Sequence, residues 1–194
     1  IGGVHPHDSK ISANAAIESF PIPEVAYISM GQHLGAPAEP IVAPGDKVKV
    51  GQLIANANGF ISAPVHSSVS GTVKGIETVF DLAGNPCKAV VITVEGDEWV
   101  ETIDRSDKIE KEIKLDSKEI IEKIKECGIV GLGGATFPTN VKLSPPPGKK
   151  AEFLIINGAE CEPYLTSDYR VLIEMPEQVL IGAAIMMKAL NVTQ

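Results

Sequence analysis

The chain has 194 residues, of which 44% are hydrophobic and 22% charged, and its 25 acidic against 17 basic side chains leave a net charge of −8. That length and apolar fraction suffice to bury a core, in one large domain or two small ones, and mark a globular protein. The acidic balance excludes nucleic acid as a partner, because gripping a phosphate backbone takes clustered Lys and Arg; one anionic cofactor held locally remains compatible with it.

Cys87, Cys127 and Cys161 lie far apart with no Cys-x-x-Cys spacing, so neither a zinc nor an iron–sulfur site is expected from these residues. Their odd number fits a reducing compartment. The longest apolar run, Val179 to Met187, ends at Lys188 and falls well short of the roughly 20 residues that span a bilayer. The chain starts with Ile and shows no basic-plus-apolar signal, so it is expected to be trimmed at its start.

In chain order, residues 1–30 are polar and punctuated by proline ("HPHDSK", "FPIPE"), which predicts an extended arm leading into a strand over Val25 to Met30. From Gly31 to about Glu95, short β-branched runs alternate with turn chemistry at Pro44-Gly45-Asp46 and Val50-Gly51-Gln52, which predicts an all-β segment. His5 and His7 in the arm, and His33 and His66 in the β segment, lack a Cys or carboxylate cluster at ligand spacing, so no metal site is expected. "SKEIIEKIKEC", Ser117 to Cys127, places Ile120, Ile121 and Ile124 on one helical face, with Ser117 suited to the N-cap and Gly128 to the residue past the C-cap. "SPPPGKK", Ser144 to Lys150, is a rigid connector. Beyond it, Ala151 to Gly158 reads as a buried strand, "AECEPYLTSDYR" as an irregular acidic loop, and Pro176 to Leu190 as an apolar helix. The order helix, loop, strand, loop, helix suggests an α/β layer following the β domain, with the boundary near residue 97.

Two loops carry the chemistry. "GIVGLGGATFPTNVKL", Gly128 to Leu143, opens with four glycines in seven residues. Backbone N–H groups meet phosphate oxygens best where no Cβ intervenes, which suits Gly131, Gly133 and Gly134 to an anion. A helix rather than a strand precedes them, the sixth position of the dinucleotide fingerprint is Thr136, and no Gly-Lys-Ser or Gly-Lys-Thr follows, so neither a Rossmann turn nor a P-loop is present. Two readings stay open. Either the bare backbone packs against a flat ring, with Phe137 as stacking face and Lys142 as phosphate partner, or the glycines only let a helix reach a strand. The second loop, "INGAECEPY", Ile156 to Tyr164, follows the expected strand and sets Asn157, Glu160 and Glu162 at its carboxyl end, where ligands bind in open α/β sheets. Asn157 offers a donor and an acceptor, and the carboxylates can accept from ribose hydroxyls, although acidic loops are also commonly just solvated.

The β segment, with "VAPGDKVKVGQLIA" followed by "SAPVHSSVSGTVKGI", resembles the barrel-sandwich hybrid of biotinyl and lipoyl carrier domains. In those domains a lysine at a hairpin tip carries the cofactor. The corresponding tip here, near Ala55 to Phe60, has no lysine, and none occurs between Lys49 and Lys74, so a packing or docking module is expected rather than a carrier.

Taken in order, "GGVHPHDSK", "QHLGAPAEPIVAPGDKV" with "GFISAPVHSSVSGTV", "GIVGLGGATFPTNVKL" and "LIINGAECEPYLTSDYR" resemble the amino-terminal portion of the RnfC subunits of the Rnf ion-translocating electron transport complexes. The last two motifs are also similar to the NADH-binding flavoprotein subunit of respiratory complex I. The resemblance implies an arm (1–30), a barrel-sandwich hybrid (31–97) and an incomplete α/β domain (98–194) that binds FMN and NADH, a mixed α+β and α/β fold class. It implies Gly131, Gly133 and Lys142 at the FMN ribityl and phosphate, Asn157 and Cys161 beside the flavin, and Phe137 and Glu162 toward NADH, with Gly134 and Glu160 completing the candidate cofactor-binding set. Leu132 stands where the complex I pattern has an arginine, and Ala159 where it has an aspartate, so one cation and one carboxylate contact are missing. No side chain is nominated as general acid or base.

The whole subunit is thereby expected to exchange hydride between NADH and flavin and pass electrons to two 4Fe-4S clusters. The cluster ligands are absent from this chain, which reads as an inactive fragment holding half a flavin site. The implied partners are the other subunits of a membrane electron transport complex and, indirectly, ferredoxin, at the cytoplasmic face of the bacterial inner membrane. A cobalamin-reductase flavoprotein shares the two loop motifs, but in that family the sandwich follows the flavin portion, whereas here it precedes it. A ligand-free docking module is the remaining alternative.

Overall fold

The computed structural model describes residues 3–81, 84–132 and 134–194. Its backbone divides into two compact units, one of Pro21–Lys108 with Lys118–Pro145, the other of residues 3–20 with Ile109–Ser117 and Pro146–Gln194.

The first unit is built from seven strands: β1 Val25–Ser29, β2 Glu39–Pro40, β3 Lys47–Val48, β4 Leu53–Asn56, β5 Val65–His66, β6 Gly71–Phe80 and β7 Pro86–Val94. They form a four-stranded sheet in the order β1-β7-β6-β3 and a three-stranded sheet in the order β2-β4-β5, with all pairings antiparallel. Period-2 alternation turns Val90 and Ile92 of β7 to one face, and they join Ile28, Val48, Ile54, Ala55, Val65 and Val73 in a single core fed by both sheets. In β6 the register against β7 steps between Val73 and Gly75, so Lys74 is a bulge residue that lets the long hairpin bend. The loop between β4 and β5, where a carrier domain would present its lysine, holds exposed Phe60.

Helix α1, Ser117–Glu126, forms where the isoleucine spacing predicts it, burying Ile120 and Ile124. Its end is set by Gly128, which adopts φ +65° while Gly128 N–H donates to Lys125 O and Ile129 N–H to Ile124 O. A Cβ at position 128 would also run into the carbonyl oxygen of Pro64, so the glycine both closes the helix and lets it seat on the β4–β5 loop. A single helical turn, α2 Thr139–Lys142, lies within the stretch read from sequence as loop.

The second unit holds α3, Ser167–Glu174, and α4, Pro176–Leu190. α4 has the expected bounds, with Pro176 opening the helix and Asn191 in the left-handed conformation at its end. Two expectations fail here. Ala151 to Gly158 is not a strand, and Phe153, Ile155 and Ile156 are exposed rather than buried. A strand exists only by pairing, and among the described residues Leu154 N–H bonds Gln194 O without any ladder forming. The α/β layer drawn around that strand is therefore not formed among the described residues. The acidic loop is also shorter than expected, because its last residues, Ser167 to Arg170, open α3.

Candidate functional site

The glycine-rich loop is closed on itself. Val130 and Pro138 form an antiparallel bridge, Gly131 N–H donates to Phe137 O at 3.0 Å and Thr139 N–H to Ile129 O at 3.0 Å. Pro138 and Leu143 are buried and anchor the two ends of α2. Leu34 N–H donates to Thr136 O at 3.2 Å, holding Thr136 at φ +50°, a conformation that residues with a Cβ seldom adopt.

Within this loop the structure brings together Gly131, Phe137 and Lys142. The Lys142 ammonium lies where a Cβ on Gly131 would stand, so the missing side chain is what admits the cation. That ammonium has no ion-pair partner among the described residues. The expectation that the Gly131 amide itself faces a ligand is corrected, since its hydrogen is spent on Phe137 O. Phe137 is half-buried, Gly134 is exposed with open space where its Cβ would point, and Gly133 lies outside the described residues. Gly134 and Thr136 edge a broad, shallow cavity of about 960 Å³ that Tyr27, Phe80 and Cys87 also line. Gly131 and Lys142 do not line it, so the loop has two accessible sides: an aromatic one and a cationic one.

The other four residues belong to the second unit. Asn157 Oδ1 accepts from Ala159 N–H at 3.0 Å, an Asx turn that spends the acceptor and leaves the amide's two N–H donors for a ligand. Glu160 accepts from Tyr169 N–H at 3.0 Å, so its carboxylate satisfies one of the orphan donors in the first turn of α3 and complements the helix dipole. Cys161 and Glu162 are exposed. The expected residues that the structure describes thus divide between the two units.

Sequence reasoning missed the groups that support these loops. His33, for which the sequence suggested no role, is buried and uses both ring nitrogens: Nε2 accepts from Ala63 N–H at 3.2 Å and Nδ1 pairs with Leu34 O at 3.2 Å. It therefore fixes the backbone whose next amide holds Thr136, and it has no nitrogen left for a metal. The signal was weak: a histidine beside a loop of small residues. Among the described residues no group of three or more His, Cys, Asp or Glu side chains is placed to hold a metal, and no helix is long and apolar enough to cross a membrane.

Comparison with known proteins divides the chain in the same order as its motifs. Residues 1–97 match the RnfC barrel sandwich hybrid domain, and residues 124–194 match the Nuo51 FMN-binding domain. The C subunit of the proton-translocating ferredoxin:NAD(+) oxidoreductase complex of Clostridium ljungdahlii is 51% identical over 193 residues, which are 98% of this chain and 42% of that protein. The C subunit of the Na(+)-translocating ferredoxin:NAD(+) oxidoreductase complex of Acetobacterium woodii is 44% identical, over 98% of this chain and 43% of that protein. In Rhodobacter capsulatus, the C subunit of an ion-translocating oxidoreductase complex is 40% identical over 100% of this chain and 37% of its own length. The chain thus spans less than half the length of these curated relatives.

Proposed function

The chain belongs to the RnfC family, and on that premise we propose that it is the cofactor-facing part of an electron-transfer subunit that takes FMN and NADH. One observation carries this reading: a lysine ammonium without a carboxylate partner among the described residues, laid over bare glycine backbone at the mouth of a closed loop. Such a cation is the feature a flavin phosphate requires, and the residues fit it. Lys142 neutralises the phosphate, with Gly131 presenting no Cβ in front of the ammonium, and Gly134 leaves open space on the loop's other side. The Asn157 amide hydrogens donate to the flavin edge, Cys161 stands beside it, and Glu162 accepts from a nicotinamide ribose hydroxyl. Glu160 serves mainly through α3, because its carboxylate is already engaged there, and Phe137 walls the nicotinamide side. When bound, the flavin would supply the conversion of the two electrons of one hydride into two single-electron transfers.

In this proposal the sandwich of residues 31–97 docks partners, and residues 98–194 carry the ligand set. The two 4Fe-4S clusters are assigned to the remaining length of the subunit, since the three cysteines here lack cluster spacing. The other subunits of the complex hold the chain at the cytoplasmic face of the membrane and relay electrons to or from ferredoxin.

The test is a visible spectrum of the subunit at its natural length. A flavin band that NADH bleaches is expected, and Lys142→Met should lower flavin affinity about tenfold, the loss of one charge-assisted contact. A colourless protein that takes up no added FMN would refute the reading and leave a docking module.

A further inference from the structure

The arm motif "GGVHPHDSK" has no part in the ligand set above. Its position in the fold is nonetheless specific. Tyr164 N–H donates to Asp8 O at 2.7 Å, and the Lys10 ammonium donates to Leu165 O at 2.7 Å. The hydroxyls of Ser12 and Thr166 share a hydrogen bond of 2.8 Å, with Thr166 buried. The Arg170 guanidinium donates to Ala13 O at 3.1 Å, and Ile17 N–H reaches both carboxylate oxygens of Glu174, at 3.0 and 3.2 Å. Arm residues 8, 10, 12, 13 and 17 thus meet residues 164, 165, 166, 170 and 174 in the same order, so the arm runs alongside the end of the acidic loop and α3.

Arg170 is the centre of this strip. Its Nε donates to Glu174 Oε1 at 2.7 Å while another nitrogen holds the arm, and the pair is largely shielded, at 17% and 25% side-chain exposure. Two residues past Glu162, Tyr164 sits at φ +73°, a conformation that a side-chain-bearing residue keeps only where its surroundings impose it; the bond to Asp8 O is such a constraint. The acidic loop in turn is tied to α3 by Glu160 on Tyr169 N–H. A continuous set of hydrogen bonds therefore runs from the arm through Arg170 and α3 to the loop.

We propose that the amino-terminal arm is a latch that positions the acidic loop for its nucleotide, with Arg170 as the positioning residue. The proposal rests on the functional reading above, in that the loop must take NADH for the latch to matter to turnover. In the natural-length subunit, Arg170→Met should raise the KM for NADH about tenfold while kcat and bound flavin per protein stay unchanged. Arg170→Lys, which keeps a cation able to reach Ala13 O or Glu174, should recover part of that loss. Ser12→Ala removes the arm's contact with Thr166, the residue that precedes α3, leaves Arg170 in place, and should raise KM in the same direction. Unchanged KM in both Arg170→Met and Ser12→Ala, or a loss confined to the active fraction, overturns the proposal. A second readout needs no ligand: amide exchange at Tyr164 should accelerate in Arg170→Met and Ser12→Ala, and unaltered protection there also overturns the latch. If the unsubstituted protein fails to respond to NADH, the functional reading falls, and the exchange result alone decides the latch.

Discussion

At the scale of single residues, two glycines of the same loop do different work, and the difference is testable. Gly128 has φ +65°, and an added Cβ would press on a backbone carbonyl that cannot swing aside. Gly128→Ala should therefore destabilise the β unit by about 1–3 kcal/mol, the cost of a side chain forced into the left-handed region, as read by urea unfolding. At Gly131 the obstacle is the far end of the Lys142 side chain, which can rotate away. Gly131→Ala should leave unfolding almost unchanged and weaken FMN by about tenfold, like Lys142→Met. Equal stability losses in the two variants would contradict this division. Both glycines were visible in the sequence as candidates for bare backbone. What could not be read there was that Gly131, like Gly128, spends its N–H internally, because its partner, Phe137 O, is fixed only when the loop closes on Pro138.

At the scale of elements, legibility follows from whether the signal is local. α1 and α4 have the expected bounds because their boundary signals, Gly128 and Asn191 in left-handed geometry at the ends and Pro176 at the first turn of α4, act within one turn of chain. The failed strand at residues 151–158 has the apolar composition of a buried strand, but composition states only what a segment prefers once a ladder is offered. The His33 clamp was illegible for the same reason, its partner Ala63 being thirty residues away. The clamp gives a prediction at this scale. His33→Asn can reproduce the Nδ1 contact with Leu34 O but not the acceptor for Ala63 N–H, and a buried amide left unpaired costs about 1–3 kcal/mol. Faster exchange at the Ala63 amide is expected, spreading to Leu34 and hence to the bond that holds Thr136. Unaltered exchange at Leu34 would mean that the glycine-rich loop does not depend on this histidine.

At the scale of the whole molecule, the order of motifs along the chain does not coincide with the compact units: residues 3–20 fold with the carboxyl-terminal helices, and the glycine-rich loop folds with the β sheets. No periodicity or cap reports a contact across some 155 residues, such as that between Ser12 and Thr166, so this interleaving was hidden from the sequence. The two units should also differ in their response to acid. In the β unit, burial pushes the His66 imidazole below its ordinary pKa, and the groups around it in its cleft include Lys123, Glu126 and Cys127. A histidine held neutral in the folded state costs nothing above its unfolded pKa of about 6.5, and below that value the unfolded chain binds the proton more readily. Stability of the β unit therefore falls as pH drops below about 6.5. In the helical unit, the Arg170 guanidinium beside Glu174 holds its carboxyl below the usual range. Its contribution is present above the unfolded carboxylate pKa and is lost only as pH falls through the lower, folded value. Trp99, the only tryptophan, lies in the β unit and reports its unfolding. Between pH 7 and pH 5, the urea midpoint followed by Trp99 fluorescence should decline, while exchange protection of the α3 amides stays level. His66→Gln should flatten the fluorescence trend; a slope that survives this substitution would assign the proton uptake to another group.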